Sequence, residues 1–86
     1  MSARVKLPDP LDKLLRSELE KAIYEAALDR DDDLIARRYI VEKKPQIDIA
    51  AELGWERSTV SRHITYILDE VKRAASRITK LKGVGG

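Results

Sequence analysis

Apolar positions along the chain recur at steps of three and four, the spacing that collects side chains on one face of an α-helix. The first such run is Leu11, Leu14, Leu15, Leu19, Ala22, Ile23, Ala26 and Ala27. It predicts an amphipathic helix of about five turns. Asp9-Pro10 reads as its start, with the aspartate as N-cap and the proline in the first helical position, where its missing N–H costs nothing. This stripe serves either as a scaffold covering the domain's own core or as a partner-binding face. The scaffold is the expectation, because amphipathic stripes usually meet their own domain. A second run, Leu34, Ile35, Ala36, Tyr39 and Ile40, follows Asp31-Asp32-Asp33, whose carboxylates suit the free amides and positive dipole of a helix start. Lys43, Lys44 and Pro45 close it.

The segment from Gln46 to Leu53 is a short helix, and Gly54 after it supplies a sharp turn. From Arg57 onward nothing breaks the pattern until Gly83. Val60, Ile64, Ile67, Val71, Ala74, Ile78 and Leu81 alternate at steps of four and three, a heptad seam within one helix of about 25 residues. Its second half runs beyond what a compact motif covers. Either the first helix of the same chain or the same helix of a second copy must bury it. Leu68 and Ala75 widen the stripe and favour packing within the chain for the upper part. Val71, Ala74, Ala75, Ile78 and Leu81 are the candidate dimerisation residues, and a homodimer is the expectation.

The fold expected is therefore all-α, a small helical bundle with a helix-turn-helix and a long C-terminal helix. Residues 1–8 form a flexible arm, 9–82 one domain with the helix-turn-helix at about 46–65 and its helical extension at about 66–82, and 83–86 a flexible tail. In the arm, Arg4 and Lys6 are able to touch an anionic partner. The 86 residues suffice for one modest core, and without phenylalanine that core must be aliphatic. Absence of cysteine excludes a disulfide framework and thiolate chemistry. No run approaches a membrane span or a signal peptide, so a soluble, cytoplasmic protein is expected. The net charge of +2 conceals a division: residues 1–34 carry six bases and nine acids, residues 35–86 eleven bases and six acids. A polyanion suits the basic half.

That half holds the most informative stretch, Gln46 to Thr65. Ala50 is small where two helices cross, Gly54 turns, and Ile49, Leu53, Val60 and Ile64 face inward. Arg57, Ser58, Thr59, Ser61 and Arg62 then leave the outward face without an acid. Arg57, Ser58, Ser61 and Arg62 are the candidate DNA base contacts, being donors and hydroxyls of the kinds used on base edges in a major groove. Lys43, Lys44, Gln46, Thr59 and Thr65 are the candidate DNA backbone contacts. A helical hairpin with a solvated arginine face explains the apolar positions equally well, but the lack of acids less easily. Trp55 reads as a roof over the core rather than a base-stacking ring, and Glu56 as the N-cap of the following helix. His63, the single histidine, borders the core near a phosphate. No nucleophile, acid or metal-binding arrangement accompanies it, so neither catalysis nor a metal or cofactor is expected. Three consecutive aspartates point in different directions and lack the glycine and distal glutamate of a calcium loop.

From about Asp32 to Lys72 the chain resembles region 4 of the sigma-70 family and the sigma-like phage and bacterial regulators built on it. The resemblance lies in Asp33-Leu34-Ile35-Ala36-Arg37-Arg38-Tyr39, in Ile49-Ala50-x-x-Leu53-Gly54 and, most specifically, in Arg57-Ser58-Thr59-Val60-Ser61-Arg62. It covers roughly half the chain. It implies an all-helical module whose last helix enters the major groove of a promoter element and which touches RNA polymerase. The acidic first helix and the long last helix depart from the family pattern, and nothing resembles the promoter-melting or core-binding parts of a full sigma factor. The function expected is a stand-alone, sequence-specific regulator of transcription bound to double-stranded DNA. The alternative is a protein-interaction adaptor gripping RNA polymerase or another regulator through its long helices.

Overall fold

A computed structural model describes the backbone of residues 5–84 and the side chains of residues 5–78; Arg4 lies outside the described residues and Leu81 outside the described side chains. The described residues form four α-helices: α1 (Arg16–Glu25), α2 (Arg30–Ala36), α3 (Gln46–Leu53) and α4 (Arg57–Val84). No strand occurs among the described residues. At 1.5 Å per residue α4 is about 42 Å long, and it sets the longest dimension of the molecule, 44 Å. The other helices lie against it. The core is one cluster to which every helix contributes: Leu19, Ala22 and Ile23 from α1, Ile35 and Ala36 from α2, Ile49 and Ala50 from α3, and six residues of α4. Burying each larger aliphatic side chain contributes about 1.5–3 kcal/mol.

The first helix is shorter than its apolar stripe predicts. Leu11–Lys13 form a separate 3₁₀ turn after Pro10, and the chain extends at Leu14 and Leu15 before α1 begins. The restart has a local cause, since the Leu15 N–H donates to Glu18 Oε1 at 2.9 Å, half of a capping box. Leu11 remains fully buried, but Leu15 is turned out to solvent. Nor is the arm free along its whole length. Leu7 is buried and Val5 packs against the cluster, so the domain begins before residue 9. At the other end α4 continues to Val84, past Gly83, where the sequence predicts a C-cap. A single glycine lowers helix preference without having to end the helix.

α2 starts earlier than the aspartate triplet suggests. Asp29 is its N-cap, accepting from the Asp32 N–H at 3.1 Å, and the three aspartates fill the first turn. Past Ala36 the helix widens into a π-helical turn, Arg37–Val41, closed by the Glu42 N–H donating to the Arg37 carbonyl. Lys43, at φ 60°, ends it in the left-handed region, and its ammonium donates to the Ile40 carbonyl at 2.6 Å. π-helical turns are rare and need support. Here Arg38 supplies it: Nε lies 3.1 Å from both Glu52 carboxylate oxygens on α3, and Nη1 lies 2.7 Å from Glu42. The hydrogen bonds to Glu52, helped by the charges of both glutamates, hold the Arg38 pKa above its ordinary value against the opposing effect of desolvation.

Candidate nucleic-acid interface

α3, the turn and α4 are joined by a Schellman motif. The Trp55 N–H donates to the Ala50 carbonyl at 2.9 Å and the Gly54 N–H to Ala51 at 3.4 Å, with Gly54 at φ 71°. Space alone would admit a side chain, since nothing lies within 4 Å of a Cβ built at Gly54. The left-handed backbone therefore selects glycine there. α4 then begins with the Thr59 and Val60 N–H groups on the Glu56 carbonyl. Val60, Ile64 and Ile67 seat it on the core, which fixes the direction of its opposite face.

On that face Ser58, Arg62, Thr65, Asp69 and Arg73 follow at helical spacing, all exposed. Arg57, Ser58 and Arg62 have no hydrogen-bond or ion-pair partner among the described residues. From Arg57 through Leu68 the helix carries no acid. Asp69 is the first, and Arg73 holds it and Glu70 at 3.1 and 3.5 Å. The acid-free stretch is 12 residues, about 18 Å along the axis. A B-form major groove is about 12 Å wide. The cationic and hydroxyl surface is thus long enough to cross one.

The remaining predicted contacts divide. Ser61 and Thr59 are half-buried on the flanks of this line, and Thr65 Oγ1 donates back to the Ser61 carbonyl at 3.2 Å. Gln46 is half-buried at the first position of α3. Lys43 is exposed but turned to the Ile40 carbonyl, and Lys44 lies 3.9 Å from both Glu42 and Glu52. Both lysines therefore end the π-helical turn with their ammonium groups near carbonyl or carboxylate oxygens.

Of the dimerisation candidates, Val71, Ala74, Ala75 and Ile78 have described side chains. Val71, Ala74 and Ala75 are fully buried within the chain, and Ile78 packs partly against the same cluster. α1 lies along α4 and contributes to that cluster. The widened stripe from Leu68 to Ala75 is met inside the protomer.

What the sequence does not disclose is the setting of His63. Its Nδ1 lies 2.7 Å from Asp32 Oδ1, and its ring centre lies 5.0 Å from that of Trp55 at a tilt of 51°. Asp32 is the buried member of the triplet, 6% exposed, while Asp33 turns outward to Arg37 at 2.9 Å. The partners stand 31 positions apart, so no local spacing announces them. Trp55 does roof the core, and its other face serves the histidine. Among protein families, curated proteins and solved structures, none matches this chain.

Proposed function

We propose that the protein is a sequence-specific DNA-binding regulator of transcription that places the first three turns of α4 in a major groove. The observation that carries this reading is the outward line of Ser58, Arg62 and Thr65, with Arg57 beside it. Two arginines stand there without an internal partner on a stretch from which acids are absent. An arginine presented in this way makes paired hydrogen bonds to guanine O6 and N7, and hydroxyls serve either base edge or phosphate. The Schellman turn and the packing of Val60 and Ile64 set the helix rigidly, as a reading surface requires. One copy presents the whole surface.

Selection of bound duplexes from random DNA, followed by titration at several salt concentrations, tests it. Arg57→Ala and Arg62→Ala should each weaken binding to the selected site by about 1–3 kcal/mol. Affinity should fall steeply with salt as phosphate counterions are displaced. Unchanged, salt-independent affinity in both variants would remove the proposal. The adaptor reading draws on the exposed Leu15 and Tyr24, which are 68% and 73% accessible. Failure of the chain to retain any duplex at low salt and micromolar concentration would favour it.

A further inference from the structure

His63 is the residue on the reading half of α4 whose ring is held by a buried charge. Asp32, as a carboxylate, can only accept, so the ring hydrogen shared with it sits on Nδ1. Trp55 fixes the plane of the ring from the side of the turn. The second nitrogen, Nε2, bonds no described residue, and no buried side-chain nitrogen or oxygen lacks a partner, so Nε2 meets solvent. The side chain is 38% accessible and directly follows Arg62.

This arrangement determines what Nε2 can offer. In the neutral ring it presents a lone pair, which opposes the oxygens of a phosphate. Adding a proton turns it into a donor and places a positive charge beside the anion, giving a charge-assisted hydrogen bond. We propose that His63 is a phosphate-binding residue of the DNA surface that acts in its protonated form, so that DNA binding takes up one proton at Nε2. The inference rests on the DNA-binding reading above.

The first turn of α2, which supplies Asp32, also carries the exposed Arg30 and Asp31. α2 contributes Asp32, with Asp29 engaged in the cap and Asp33 turned to Arg37. The α3–α4 turn contributes the uncharged Trp55 with Glu56 after it, and α4 itself contributes Arg62. Asp32 is the one carboxylate within ion-pair reach of His63 among the described residues. The chain has a single histidine, and histidine is the side chain whose charge ordinarily changes between pH 5 and 8.

The test uses the full chain and a mixed-sequence duplex, because a phosphate contact does not depend on base sequence. Affinity is measured at fixed low ionic strength across roughly pH 5.5 to 8. The wild type should bind about three- to tenfold more tightly at the acid end. His63→Gln should still bind, with that dependence gone, and Arg62→Ala should bind more weakly at every pH with the dependence intact. Circular dichroism shows whether each variant is folded. The ring ¹⁵N signals of His63 provide a second readout, changing from the Nδ1–H form to the doubly protonated form when DNA is added near neutral pH. Binding by the wild type without pH dependence, or an unaltered dependence in His63→Gln, would overturn this inference and leave the DNA reading standing. No binding at any pH would overturn both.

Discussion

The contact between Asp32 and His63 joins the start of α2 to the second turn of α4 across 31 positions, and its worth can be measured. Removing the buried carboxylate leaves the Nδ1 hydrogen without its acceptor. Asp32→Ala should therefore cost about 1–3 kcal/mol of stability. The same change at the exposed Asp31 should stay within about 0.5 kcal/mol. Chemical denaturation of both variants, with a double-mutant cycle through His63→Ala, separates the pair from the remaining packing. Equal losses at Asp31 and Asp32 would contradict the role given to the buried carboxylate. The sequence presents Asp31, Asp32 and Asp33 as equivalent helix-start acids. Only the rotation of α2 against α4 makes the middle one internal.

Among the elements, the α3–turn–α4 unit has the most local set of causes. Gly54 is glycine because of its backbone, not because of crowding. Gly54→Ala should destabilise by about 1–2 kcal/mol, the cost of placing a Cβ in the left-handed region. Gly54→Asn, which adopts that region more readily, should cost less. Thermal unfolding of the two variants checks the order, and equal values would point to a role for the space rather than the angle. Local causes are also what made this unit legible beforehand: α3 runs from Gln46 to Leu53 and α4 starts at Arg57, where capping and periodicity place them. The break before α1 and the π-helical turn in Arg37–Val41 were not legible. The first depends on Glu18 reaching back to Leu15 at the expense of a continuous stripe. The second depends on Arg38 meeting Glu52, which comes 14 positions later on another helix. An apolar repeat carries neither fact.

For the whole molecule, the decisive choice is what covers the second half of α4. The seam of Val60, Ile64, Ile67, Val71 and Ala74 was readable, but a heptad pattern fits a helix from the same chain as well as one from another. The small residues Ala22 of α1 and Ala74 and Ala75 of α4 are fully buried, on two helices that pack together. Ala74→Leu should thus strain the protomer by about 1–3 kcal/mol, and the free protein should sediment at its 9.8 kDa chain mass. A mass of twice that value at micromolar concentration, lost in Ala74→Leu, would instead show the two-copy arrangement. No helix among the described residues is long and apolar enough to cross a membrane.

α4 is unbroken from Arg57 to Val84, with α1 against it and the partnerless arginines near its start. On the DNA reading proposed above it would act as a lever. A few degrees of tilt forced on its far portion, by anything that prises α1 away, would swing Arg57 and Arg62 out of register with a groove edge by ångströms. On that reading, the grip of α1 on α4 would then govern how well the other end reads a duplex.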